Sequence, residues 1–174
     1  MPASANPSLL TSLDVANAQW TLEVFQTDDG AEPFTRFIDK ELSDDEFAAL
    51  DAALKQVLAV MGLELAKTEW LKALGDGLYE FRLRHTADEI RHMFGGSASK
   101  VQERHVDILL RVFVHFFGQR VILLLSGYDK GDDSSERRQQ REITEARKYL
   151  KQWKLQERRS KAASKKLPGH GGRR

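Results

Sequence analysis

The sequence predicts an α+β fold, a pair of N-terminal helices laid on a small antiparallel-rich sheet and closed by a C-terminal helix. Three observations carry that expectation. One short alternating segment precedes two segments with helical spacing. Three later segments read as strands, the first alternating and the last two apolar and separated by a tight turn. The last third holds apolar residues at helical intervals among arginines and lysines. At 174 residues the chain suits one domain.

Taken in order, residues 1–18 have little periodicity and are expected to be a loose extension of the 19–158 domain. Trp20, Leu22 and Val24 alternate and predict an opening strand, with Asp28, Asp29, Gly30 and Pro33 marking a turn. Phe34, Phe37, Ile38 and Leu42 recur at helical spacing. Ser43 and Glu46 then form a capping-box pattern, in which hydroxyl and carboxylate satisfy backbone N–H groups at the start of a second helix. Its apolar stripe runs from Phe47 through Leu50, Leu54, Val57 and Leu58 to Met61, and Gly62 suits the stop.

Gly75-Asp76-Gly77 reads as a turn into a strand, Leu78–Arg84, with Tyr79, Phe81 and Leu83 on one face and Glu80, Arg82 and Arg84 on the other. Residues 85–107 are polar and read as an insertion or long loop, with a helical turn near Asp88–Phe94. Ile108–Phe117 and Val121–Tyr128 predict an antiparallel hairpin, the second strand being the most apolar and so expected at the centre. A final helix is expected over Ser135–Arg158, its apolar face formed by Ile143, Ala146, Leu150 and Trp153. Residues 159–174 are expected to be a flexible basic tail.

Composition removes several function classes. There is no cysteine, hence no disulfide scaffold, thiolate metal site or cysteine nucleophile. The strongest apolar run, Val121–Leu125, is far short of the ~20 residues a membrane span needs. The N-terminus lacks the basic start and apolar core of a secretory signal, so the expected compartment is the cytoplasm, away from membrane. The net charge of +1 conceals an asymmetry: residues 1–133 carry 13 Lys/Arg against 22 Asp/Glu, and residues 134–174 carry 14 against 4. Such a basic end either faces water or attracts a polyanion.

Phosphate-loop, dinucleotide, nucleophile-elbow and HExxH signatures are all missing. The five histidines show no helical metal-ligand spacing; His115 within a strand is expected to be structural, and Asp132-Asp133 to solvate a turn. What remains is cationic: Arg82 and Arg84 on one strand face, Arg111 inside an apolar strand, then Tyr128 and Lys130. Charges in apolar strands are costly unless paired or exposed at a working face. Two readings therefore stand, a salt bridge such as Arg111 with Glu80, or a functional cationic surface.

The segments LKALGDGLYEFRLR, LLRVFVHFFGQRVILLLSGYDK and REITEARKYLKQW, over residues 71–153, resemble the RelE/HigB toxin superfamily, and within it the phage-derived, HigB-like branch. That branch has an L-x-x-G-L-Y-E-L-R strand, an R-V-x-Y-F strand, a buried strand and an E-I-x-x-A helix. The resemblance implies the toxin of a type II toxin–antitoxin system, a cytoplasmic, ribosome-dependent mRNA endonuclease. It needs no metal or other cofactor: the ribose 2′-OH attacks the adjacent phosphate and leaves a cyclic phosphate. It also implies a cognate antitoxin, the ribosome and mRNA as partners, with operator DNA bound alongside the antitoxin. Carried over by position, Arg82 and Arg111 form the phosphate clamp, Tyr128 stacks on a base or assists proton transfer, and Lys130 adds electrostatic support. Lys72, Arg84, Arg137 and Arg138 are further candidate RNA contacts.

The chain departs from the pattern after the buried strand, where DKGDDSSERR puts acids in place of the family's lysines, and Ser126-Gly127 in place of its histidine. Two other functions share the fold expectation. One is a non-enzymatic module that binds a partner protein and operator DNA, and the other is a gyrase-directed toxin.

Overall fold

The computed structural model describes residues 19–94 and 107–166. A five-stranded mixed sheet, ordered β1-β5-β4-β3-β2, separates two helical layers. β1 (Thr21–Val24) pairs in parallel with β5 (Val121–Asp129); the other neighbours, β5 with β4 (Leu110–Phe117), β4 with β3 (Leu78–Leu83) and β3 with β2 (Leu71–Gly75), are antiparallel. The chain enters at one edge of the sheet and returns at the other. Everything between β1 and β2 must therefore cross one sheet face, and it does so as helices.

Those helices are α1 (Pro33–Glu41), α2 (Asp44–Ala53), a π-helical turn over Leu54–Leu58, the short α3 (Ala59–Met61) and a 3-10 segment (Gly62–Lys67). The Ser43/Glu46 capping box is formed in both directions. Phe34, Phe37, Leu50, Leu54, Val57 and Leu58 pack on Phe81, Leu83, Leu110, Val112, Val114, Ile122 and Leu124 of the sheet. At about 25 cal/mol per Å² of apolar surface, burying one such side chain contributes roughly 1.5–3 kcal/mol, so this interface dominates the stability. Gly62 ends the layer at φ +53°, and a Cβ there would fall 2.0 Å from the Trp20 indole. Only glycine lets the opening strand's tryptophan close over that corner.

Several expectations need correction. β2 has no counterpart among the expected strands; Asp76-Gly77, both at positive φ, is a tight hairpin turn of the kind that joins two strands. β5 is interior but β4 holds the centre of the sheet. Within the expected 85–107 loop lies α4 (Ala87–Met93), opened by a Thr86/Glu89 capping box, with Ile90 buried in the core. Residues 95–106 of that segment fall outside the described residues, as do 1–18 and 167–174. The last helix, α5 (Glu136–Lys165), is seven residues longer than its expected end, so residues 159–165 are helical. Lys, Arg, Gln and Ala carry the helix onward by propensity after the apolar face runs out at Trp153. Among the described residues, no helix is long and apolar enough to cross a membrane.

α5 covers the second sheet face. Ile143, Ala146 and Leu150 are buried against Phe25, Leu78, Phe113, Leu123 and Leu125. His115 is structural, as the sequence suggested: its Nδ1 donates to the Gly77 carbonyl at 2.7 Å, and its ring meets Trp153. Burial, reinforced by Lys154, holds its pKa below the ordinary 6.5. The unfolded chain therefore takes up this proton first, and stability present above the unfolded value is lost as pH falls from there toward the folded one. The thermal stability of the wild type should fall as the pH drops below the ordinary 6.5 of histidine, and His115→Gln should flatten that dependence. Identical slopes for the two proteins would show that His115 is not the group responsible.

Candidate functional site

Arg82 on β3 lies directly opposite Arg111 on β4, which lies opposite Tyr128 on β5. Residues paired this way share a sheet face, so the three make one row beneath the start of α5. Tyr128 reaches the row through a β-bulge. Phe113 pairs with Ser126 and Val114 with Leu124, which leaves Leu125 as an extra residue. Plain alternation from Leu124 would have sent Ser126 and Tyr128 to the other face, among the N-terminal helices. One extra residue turns both toward α5.

Glu80, one step along the same face of β3, is wholly buried. Arg82 Nε donates to Glu80 Oε1 at 2.8 Å, and Arg111 Nε stands 3.9 Å from the same oxygen. Arg111 also donates from Nη1 to its neighbour's carbonyl, Leu110 O, at 3.2 Å. Burial works against the charge of Arg111 and Glu80 works for it. The Tyr128 ring stacks on Phe113. Burial, and next the Glu80 carboxylate, push its phenol up to about 12, so it is a protonated donor at neutral pH. Arg138 of α5 lies over the same ring, its guanidinium carbon 5.4 Å from the centroid. Lys130 follows at the mouth; burial and the charge of Arg111 lower its pKa.

The site is under-bonded. Among the described residues, Glu80 Oε2, Arg111 Nε, Ser126 Oγ and Tyr128 OH are buried without a hydrogen-bond partner, and Arg138 Nε meets Glu142 at 3.5 Å without hydrogen-bond geometry. Each buried polar group left without a partner costs about 1–3 kcal/mol, so their clustering singles this row out from the rest of the core. Beside it, a cleft of about 160 Å³ opens between α1 and α5 over Ser126 and Gly127.

The sequence-predicted residues divide accordingly. Arg82, Arg111, Tyr128 and Lys130 do come together. The open cationic face expected of them does not exist in this arrangement, because α5 lies on it: Arg111 is 2% exposed and Tyr128 1%, against 22% for the Arg82 side chain. Arg84 is exposed at the end of β3, and Lys72 is exposed on β2, opposite Glu80. Arg137 is exposed. Arg138 is not a free RNA contact, since Glu41, Glu142 and Asp132 surround its guanidinium at 3.2, 3.5 and 3.6 Å.

The acids of the DKGDDSSERR segment have local structural work. Asp129 accepts from the Gly131 N–H, Asp133 from the Ser135 N–H just before α5, and Asp132 pairs with Arg138. Glu80 is the residue the sequence undervalued. The sequence offered it only as a salt-bridge partner of Arg111; the structure sets it against Arg82 as well.

No family model, curated protein or solved structure matches the chain. Fold and site thus define a class only: an α+β protein with a five-stranded mixed sheet, covered on both faces, and a row of polar side chains under its C-terminal helix. The RelE/HigB resemblance stands on the strand and helix motifs alone.

Removing the Glu80 charge leaves two guanidiniums facing one another, one of them buried, and breaking a buried pair costs about 3–5 kcal/mol. Glu80→Gln should lower stability by about that much in urea unfolding. Tyr128→Phe, which deletes a hydroxyl that has no partner, should change it by less than about 1 kcal/mol. A large loss in Tyr128→Phe would mean that the hydroxyl is bonded after all.

Proposed function

We propose that this chain is a RelE-like toxin that cuts RNA on the ribosome. The observation that carries the reading is the row Arg82–Arg111–Tyr128 with Glu80 beside it, four groups of complementary chemistry, three of which (Glu80, Arg111 and Tyr128) carry a buried polar atom without a hydrogen-bond partner among the described residues. Cleavage needs a base for the 2′-OH, cations for the charge that grows on phosphorus, and an acid for the leaving 5′-oxygen.

Glu80 Oε2 is the one free carboxylate oxygen in the row, and it takes the 2′-OH proton. The freed O2′ attacks phosphorus, the P–O5′ bond breaks, and the phenol of Tyr128 protonates the departing O5′. A 2′,3′-cyclic phosphate and a 5′-hydroxyl remain. Arg82, the most exposed member, places its fork on the phosphate oxygens, with Arg111 behind it. Lys130, Arg84 and Lys72 line the approach. The first turns of α5 seal this row, so RNA reaches it only when they lift.

A second reading has its own observation: Arg111 and Tyr128 are buried and Glu80 serves both arginines, as in a purely structural ion cluster. In that reading the chain acts by binding a partner protein, with operator DNA, and never cuts.

Induction of the wild type and of Arg82→Ala in growing cells, with mapping of transcript 5′ ends, separates these readings. The toxin reading expects growth arrest and new cuts inside translated messages, reduced roughly a hundredfold or more by Arg82→Ala. Arrest without cuts would favour a gyrase target. No arrest from a folded, abundant protein would favour partner binding.

A further inference from the structure

α5 does two things along its length. As far as Trp153 it packs its apolar face on the sheet. Beyond that point it continues for a further three turns whose side chains bury nothing apolar, Leu155 being 41% exposed. A helix that is polar all round persists when opposite charges sit three or four residues apart, or when it is held by something else. Residues 151–166 carry seven Lys/Arg and one acid, Glu157.

The basic residues are not scattered. Arg147, Lys151, Lys154, Arg158, Lys161 and Lys165 recur at spacings of four, three, four, three and four. On a helix this is one straight stripe, about 27 Å long at 1.5 Å per residue. Its first part is fastened to the β2–β3 hairpin. Arg147 donates to the Leu74 carbonyl at 2.7 Å and Lys154 to the Asp76 carbonyl at 3.1 Å. On β2, two residues before Leu74, Lys72 shares the α5-facing side of the sheet with Glu80 and Arg82. Arg158, Lys161 and Lys165 are exposed and make no ion pair among the described residues.

We infer that this stripe is a binding track for the phosphate backbone of RNA, leading from the free end of α5 over the β2 edge to the Arg82 row. Self-repelling cations at phosphate-compatible intervals gain most from a linear polyanion, whose condensed counterions are released on contact. The choice of RNA over DNA rests on the toxin reading above, because the track ends at the row assigned there to RNA cleavage.

The test uses the full chain and a variant with Arg158→Gln, Lys161→Gln and Lys165→Gln, which keeps helix-forming side chains outside the packed part of α5. Binding is read by fluorescence anisotropy on a fluorescein-labelled single-stranded RNA and on duplex DNA of the same sequence, and by co-sedimentation with phosphatidylserine vesicles. The expected result is RNA binding in preference to DNA and vesicles. The variant should lose roughly tenfold or more of RNA affinity at low salt, and its slope of log affinity against log salt should fall by roughly two. Unchanged affinity and slope would overturn the inference, as would tighter binding to DNA or to vesicles.

The two proposals fail separately. RNA binding that depends on the stripe, with no cutting on ribosomes, supports the track and sinks the nuclease. Cutting that the stripe variant performs with undiminished RNA affinity does the reverse.

Discussion

The arrangement under α5 depends on one buried carboxylate. Glu80 has no exposure, and it sits against two guanidiniums, in hydrogen-bond contact with Arg82 and at ion-pair range of Arg111. Taking a lone charge out of water costs several kcal/mol even after relaxation, so neither Arg111 nor Glu80 would be tolerated there without the other. Their coexistence fixes the register of β3 on β4, since a one-residue slip would send one charge into the apolar layer of Phe81 and Val112 on the opposite face.

The bulge at Leu125 extends the same logic to β5. Ile122 and Leu124 are needed on the helical-layer face, and Tyr128 is needed above Arg111; a regular strand cannot supply both, because all three are even-numbered positions. The extra residue resolves the conflict and leaves Gly127 next to the Phe37 ring, where a Cβ would come within 2.6 Å. Gly127 is thus a packing requirement of the bulge. A residue with a side chain would push α1 off the sheet at the place where the Ser126 cleft opens.

How much of this was legible in the sequence follows from which signals are local. The capping box at Ser43, the turn between β4 and β5, and the alternation of β3 are local, and they were readable. β2 was not, because Leu71–Gly75 is a short edge strand whose register shifts after Ala73, which spoils alternation. The bulge was invisible for the opposite reason: Val121–Leu125 is apolar at every position, so no periodicity reveals a slip. The alternation that separated Glu80, Arg82 and Arg84 from Phe81 and Leu83 was right about faces and wrong about solvent. Whether a face is open depends on α5, some fifty residues further on, and no rule within the strand reports it.

α5 therefore governs access to the site as well as the second core. Arg138 ties its first turns to Glu41 of α1 and to Asp132 of the preceding loop, and lies over the Tyr128 ring. The apolar anchors, Ile143, Ala146 and Leu150, begin only one turn later. Although Arg138 is only 12% exposed, its partners Glu41 and Asp132 face solvent, so each of these pairs is worth about 1 kcal/mol, whereas each buried apolar anchor contributes roughly 1.5–3 kcal/mol. The first turn of the helix is consequently held less firmly than the segment from Ile143 to Leu150, and its Arg138 lies over the Tyr128 ring. Fraying there would uncover the Tyr128 ring while the segment from Ile143 to Leu150 stays docked, a local opening at one end of the row.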